Sequence, residues 1–302
     1  MHTIAAFEKE IIMQLNFLKK FKPQPILSIS KQKKAIFCGT GDSYASAQLA
    51  EAFSRFRVKA LDPLDLVKNK NLIKAHDLYI ISISGNTITN IKLAKLTKHV
   101  TAITSNSKSR LAKTSKKLIL LRFDNTGIQT SGSISFLSSA LTCISLVSRY
   151  VVKDIPRIYA NAKKISKKIS LHGRIYVLGD LYTMPIAMFC VAKLYEVLGI
   201  DAHYERIEQF SHMGLFSTKK GDTVILFEEK NQHNEKLLTT LRRCGLATIR
   251  IDPPNTTICE KILFYIFVSE LIALYTAKRK KKKECYFIES TKLRNASSSM
   301  IY

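Results

Sequence analysis

The 302-residue sequence is restricted most by what it lacks. It has no tryptophan, 11 glycines and seven prolines, which leaves out collagen-like repeats and the Pro/Gly-rich tracts that stay disordered. Its six cysteines, Cys38, Cys143, Cys190, Cys244, Cys259 and Cys285, form no C-x-x-C pair. No zinc or dithiol chemistry is expected, and the thiols read as free and buried in apolar runs. The longest apolar stretches, 134–147 and 258–277, are respectively short and serine-rich, and interrupted by Glu260, Lys261 and Glu270. They predict buried core helices, not membrane spans. Met1-His2-Thr3-Ile4 shows no basic region followed by an apolar leader, so a cytoplasmic address is expected.

Negative charge is also scarce. There are 23 Asp and Glu against 48 Lys and Arg, a net charge of +25. That sign suits nucleic acid, an anionic membrane or a phosphorylated substrate. The lysines are scattered along the sequence without stacking aromatics beside them, which argues against a nucleic-acid partner. No membrane partner is expected either. The dense run 278–283 reads as a solvated helix end whose cations meet the last carbonyls.

The length permits two domains, and a hydrophobic content of 46% with 24% charged residues is that of a folding chain. Strand-like runs rich in Ile, Val, Phe and Tyr (35–38, 78–82, 100–104, 118–121) alternate with helical segments (43–56, 88–98, 133–150), the pattern of βαβ units. After a lysine-rich connecting helix at 153–170 the order restarts, with strands at 174–178, 223–227 and 247–251 and helices at 182–198, 234–244 and 259–277. Gly41-Asp42-Ser43-Tyr44 and Gly179-Asp180-Leu181-Tyr182 each close a strand, 138 residues apart. The expectation is an α/β protein of two doubly wound, flavodoxin-like parallel-sheet domains related by duplication, one over 1–152 and one over 153–302.

Glycines after the first strand, in Gly39-Thr40-Gly41-Asp42-Ser43, expose backbone N–H groups at a helix start and so favour an anion. Tyr44 stands where a dinucleotide fingerprint needs its third glycine, and no acidic residue follows at a ribose-binding strand end, so NAD is disfavoured. Ser82-Ile83-Ser84-Gly85-Asn86-Thr87 after the next strand offers alternate hydroxyls around a turn, and Thr130-Ser131-Gly132-Ser133 precedes a third helix. A single such stretch is as readily a capped turn. Several at neighbouring strand ends fit a phosphate, because ligands of open α/β sheets bind there.

These three loops resemble the phosphosugar site of the sugar isomerase (SIS) superfamily. The resemblance implies that Ser43, Ser82, Ser84, Thr87 and Ser131 or Ser133 hold the phosphate. Lys193, Glu196 and His212 resemble the lysine, glutamate and histidine of the isomerase half of glucosamine-6-phosphate synthase, and archaeal phosphosugar isomerases similarly pair a glutamate with a histidine. The resemblance implies Glu196 as the base that moves a proton between C1 and C2, His212 as the ring opener, and a homodimer in which the histidine comes from the neighbouring subunit. It implies an isomerase that needs no cofactor or metal; a deaminase of glucosamine 6-phosphate and a non-catalytic sugar-phosphate sensor are the other functions it covers. By spacing alone, Glu196 is equally a helix residue paired with Lys193, and His212 a loop histidine. The family's Glu-x-x-His-Gly-Pro is Gln209-Phe210-Ser211-His212-Met213-Gly214 here, and the synthase's C-terminal Arg-Asn-Leu-Ala-Lys-Ser is Arg294-Asn295-Ala296-Ser297-Ser298-Ser299, with serine at the lysine position and Lys292 near it in sequence. With no glutaminase segment ahead of the first helix, glutamine-dependent amino transfer is not expected.

Overall fold

Short apolar runs closed by turns become strands because their side chains are buried on both faces of a parallel sheet. β1 (Ala35–Cys38) and β4 (Val100–Thr104) are buried throughout, with β2 (Lys59–Leu61), β3 (Asp77–Ile81) and β5 (Lys117–Leu120) completing one sheet. β6 (Ile175–Leu178), β7 (Ala202–Glu205), β8 (Thr223–Leu226) and β9 (Ala247–Arg250) make a second. The computed structural model describes all 302 residues, and every strand pair in it is parallel.

The first sheet has the order β2-β1-β3-β4-β5 and the second β7-β6-β8-β9. The first is the flavodoxin-like order, and the second is the same order one strand short. β2 and β7, which the sequence reading passed over, are edge strands with alternating or partial burial. They carry Lys59, His203 and Glu205 and so present no apolar run.

The chain divides into two compact units that are interleaved in sequence rather than separated at 152/153. The five-stranded unit comprises 16–125, 132–150 and 290–302; the four-stranded unit comprises 1–15, 126–131 and 151–289. Side-chain chemistry explains the assignment of the short segments. Buried Glu10 accepts from Thr126 N at 3.2 Å, Thr126 Oγ1 at 2.9 Å and Thr130 Oγ1 at 2.8 Å. Thr3 donates to Glu284 from both its N–H and its hydroxyl, Lys278 pairs with Glu8, and Gln14 donates to buried Glu270. Residues 1–15 and 126–131 are thereby bound to the unit built on β6–β9.

In the five-stranded unit one sheet face packs Ile36, Cys38, Leu78 and Ile80 against Leu66, Leu93 and Leu111 from flanking helices. Helices Asp42–Phe53 and Ile134–Val147 pack together in the same unit, the latter buried almost all round. In the other unit Tyr176, Leu178, Val224 and Leu226 meet Phe210, Leu238 and Leu241, while helix Ile258–Arg279 packs on both Met184–Lys193 and Ile155–Ser166. The predicted helix over 182–198 is an α-helix only to Lys193; Leu194–Leu198 is a π-helical turn closed by Gly199 at φ 65°. All six thiols are free, and five are buried as expected. Cys244 is the exception. It caps the exposed C-terminus of helix Gln232–Arg243.

Candidate functional site

In the five-stranded unit, parallel pairing sets the ends of β1 and β3 side by side, with Cys38 opposite Ile80. Gly39 leaves β1 so tightly that a Cβ there would lie 2.6 Å from Ser43 Cβ and 2.9 Å from Ile81 O. Only glycine lets the two strand ends approach this closely. Gly41 then turns at φ 57° into the helix that carries Ser43 in its first turn.

The loop after β3 folds on itself. Gly85 N donates to Ser82 Oγ at 3.2 Å, Asn86 N to Ser84 Oγ at 3.3 Å, and the Ser82 and Thr87 hydroxyls lie 3.4 Å apart. Ser105 Oγ and Thr104 Oγ1 both donate to Ile83 O and fix the loop from β4. Gly85 sits at φ 64°, and a Cβ there would overlap the Ser109 side chain. Thr87 heads helix Ile88–Ala94 but makes no side-chain cap bond. Its hydroxyl is turned to the loop instead of being used to close the helix. Ser133, buried at the head of helix Ile134–Val147, likewise makes no side-chain cap bond. The sequence reading missed Asn90, one turn beyond Thr87. It is buried with both side-chain amide atoms unpartnered, a state that a ligand or water ordinarily relieves.

The same construction recurs in the four-stranded unit with a different filling. Gly179 follows β6 as Gly39 follows β1, and a Cβ on it would meet Thr183 as one on Gly39 would meet Ser43. Leu181, at φ 42°, takes the turn that Gly41 takes. Strand register therefore relates the loops by 140 residues, so the four-residue match 138 apart pairs residues that do not correspond structurally. Cys38 pairs with Ile80 and Leu178 with Leu226, which puts Glu228 where the other sheet has Ser82. The Glu228 carboxylate accepts from Thr183 Oγ1 at 2.5 Å and Asp180 N at 3.4 Å. Burial pushes its carboxyl up, with the Thr183 and Asp180 bonds opposing. A side-chain carboxylate thus occupies this second crevice.

Lys193 and Glu196 also lie in the four-stranded unit, Lys193 as the last residue of the α-helix and Glu196 on the π-turn that follows it. Single π-turns of this kind are frequent at functional sites. Lys193 is wholly buried, its ammonium 4.8 Å from the centre of the Phe189 ring and 3.1 Å from Glu196 Oε2. Ser131 Oγ donates to the same oxygen at 2.5 Å. Glu196 Oε1 has no protein partner, and the side chain is 41% exposed. One carboxylate oxygen is anchored and the other is open. Ser131 is therefore engaged with Glu196 in this unit, whereas Ser43, Ser82, Ser84, Thr87 and Ser133 lie in the five-stranded one.

His212 ends helix Ile207–His212 and is 76% exposed, its Nε2 3.8 Å from Glu208. Within the chain it does not meet Glu196. Residues 294–299 lie on the exposed helix Thr291–Ile301, as does Lys292.

Neither a family model nor a curated protein matches the sequence. Solved structures do. The C-terminal domain of glucosamine-fructose-6-phosphate aminotransferase from Francisella tularensis matches with a TM-score of 0.73 at 14% identity, over 94% of this chain and 98% of that one. The chain has this fold. Glucosamine-6-phosphate deaminase from Thermotoga maritima shares it with a TM-score of 0.70 at 18% identity, over 93% and 95% of the two chains. Tagatose-6-phosphate ketose/aldose isomerase from Escherichia coli does so with a TM-score of 0.66 at 17% identity, over 93% and 91%. No helix of the chain is long and apolar enough to cross a membrane.

Proposed function

We propose that this chain is a sugar isomerase superfamily member that interconverts the aldose and ketose forms of a sugar phosphate. The observation that carries the reading is the Glu196 carboxylate, held at Oε2 by Ser131 and Lys193 and free at Oε1. Isomerisation through an enediolate needs one base that takes a proton from C2 and returns it to C1. A carboxylate with one fixed and one open oxygen suits that shuttle, and the transfer needs neither metal nor nucleotide. Lys193, buried against Glu196, positions it. Ser43, Ser82, Ser84, Thr87 and Ser133 supply donors to the phosphate, and His212 opens the ring from the neighbouring subunit of a homodimer. The named activities of the isomerase and deaminase that share the fold support a phosphosugar substrate.

A deaminating isomerase would use the same Glu and His, and the match to a deaminase keeps that reading in view. Gln209, an amide where relatives carry a carboxylate, counts against recognition of a substrate amine. The test is a panel of hexose and pentose phosphates, screened by thermal stabilisation and then by turnover and ammonia release. Wild-type turnover that falls by ~10²-fold in Glu196→Gln, with affinity little changed, supports the isomerase. Stabilisation without turnover would make the chain a sensor. Full activity in Glu196→Gln would overturn the assignment of the base.

A further inference from the structure

The surplus positive charge is unevenly shared. The five-stranded unit carries 24 Lys and Arg against six acids, Asp42, Glu51, Asp62, Asp65, Asp77 and Asp124; the four-stranded unit carries 24 against 17. Lysines that look scattered in sequence are gathered by the fold, because each turn that feeds a strand of a parallel sheet lies at the sheet's amino end. Lys31, Lys33 and Lys34 precede β1, and Arg55 and Arg57 precede β2, which opens on Lys59. Lys74 precedes β3, Lys95 and Lys98 precede β4, and Lys113 and Lys116 precede β5, which opens on Lys117. All but Arg57 are exposed.

Two acids stand against them, and both are engaged. Asp77 faces His99 at 3.7 Å, and Glu51 accepts from Ala60 N at 3.0 Å. None of the lysines has an ion pair. Helix C-termini favour nearby cations, but that calls for one or two per helix end and does not explain what lies among them. Phe56 (63% exposed) and Leu96 (40%) stand in these turns, Ile26 (53%) and Ile29 (59%) just before and at the head of the short helix that leads into β1, and Leu118 (41%) at the start of β5. A groove of about 750 Å³ runs between Lys95, Lys98 and Lys116, floored by Thr97, Thr114 and Ser115.

We propose that the amino end of the five-stranded sheet docks on an anionic lipid surface. Bare aliphatic tips ringed by unpaired lysines are the composition of a peripheral membrane contact: the cations meet lipid phosphates and the tips enter the headgroup boundary. The groove, with its cations and hydroxyls, has room for a headgroup. A nucleic acid would leave four exposed aliphatic side chains against its phosphates and find only the rings of Phe56 and His99 for base stacking. A second copy of this chain would set lysine against lysine. That no helix is long and apolar enough to cross a membrane does not bear on lying against one.

The test is co-sedimentation of the full chain with vesicles of phosphatidylcholine, alone or mixed with phosphatidylserine, at low and high salt, with an oligonucleotide duplex and heparin as soluble polyanions. Binding is expected only to the mixed vesicles, weakening as salt rises. It should fall by about 100-fold in Lys95→Glu/Lys98→Glu/Lys116→Glu. Ile26→Ser/Ile29→Ser/Leu96→Ser should weaken vesicle binding and leave heparin binding unchanged. Melting temperatures near wild type show that both variants fold; if the triple charge reversal does not fold, Lys98→Gln/Lys116→Gln reads the same effect at smaller scale. Absence of vesicle binding overturns the proposal, as does equal binding to neutral vesicles. It also fails if the duplex binds more tightly than the vesicles, or if the apolar substitutions have no effect.

Discussion

The Ser131 hydroxyl donates to Glu196 Oε2 at 2.5 Å across 65 residues of sequence. The segment that carries Ser131 is itself pinned through Thr126 and Thr130 to buried Glu10. Two carboxylates, one buried and one open to solvent, thus hold a six-residue segment in place. Ser131→Ala should lower turnover by ~10-fold, since a hydrogen bond to a charged group contributes about 1.5 to 3 kcal/mol. KM should move little, and Ser131→Thr should restore part of the rate. Steady-state kinetics on the sugar phosphate found in the panel checks this, and an unchanged kcat would leave Ser131 as a loop fastener only.

Gly85 sits at φ 64° against the Ser109 side chain. Gly85→Ala must both adopt a left-handed backbone and displace Ser109, so a loss of at least ~1 kcal/mol is expected. Phosphate-ester affinity should fall further than stability does, because the Ser82 to Thr87 hydroxyls lose their arrangement. Thermal melting beside calorimetric titration separates the two effects. Gly41→Ala, with open space around its Cβ, should show backbone strain alone.

Glu228 stands in the second sheet where the first has Ser82, bonded to Thr183 and Asp180. The wild-type chain should therefore take up one phosphate ester and not two. Glu228→Ser removes the resident carboxylate and should admit inorganic phosphate at the start of helix Met184–Lys193 as a weak additional site. A wild-type stoichiometry of two in titration calorimetry would show that Glu228 does not fill the crevice.

The Thr3 hydroxyl, the Thr3 N–H and then His2 bond to the Glu284 carboxylate and hold its carboxyl down to about 2. For a depressed acid, the stabilisation is complete above the usual value of 4.5 and is lost as pH falls through the folded value. Amide protection factors at residues 3–11, which correct for the intrinsic slowing of exchange in acid, should fall as the pH drops below about 4.5. Glu284→Gln should show the lower protection already at neutral pH, with no further change across that window. Protection in the wild type that is constant down to pH 2 would remove the role assigned to Glu284.

The central strands β1, β4, β6 and β8 were legible in the sequence because burial on both faces demands unbroken apolar runs. The hydroxyl loops at strand ends and the Lys193–Glu196 pair were legible because they are local in sequence. β2 and β7 were not, since an edge strand half open to solvent tolerates Lys59, His203 and Glu205. The π-turn at Glu196 leaves no mark in a periodicity that α and π turns share over five residues. The bond from Ser131 to Glu196 joins distant segments, and so does the gathering of lysines at one sheet end. Both depend on topology, which composition does not carry. The repeated Gly-Asp-x-Tyr motif pointed to the right pair of loops but misaligned them by two residues, because the chain follows backbone turns and not letters.

Residues 1–15 and 126–131 belong to a unit whose other members run to residue 289. During synthesis, then, the first helix leaves the ribosome long before the side chains that receive it, Glu270, Lys278 and Glu284. Most of the five-stranded sheet's unit is complete once residue 150 has emerged, so it can condense while translation continues. The other unit can close its longest contacts only once Glu284 has emerged, with a loop entropy set by a separation of 281 residues. A truncated nascent chain should hold the first of these cores and leave its own amino terminus undocked and open to proteases. A permuted gene that begins near residue 151 and joins Tyr302 to Met1 would bring the first helix out directly after its receivers and shorten that wait.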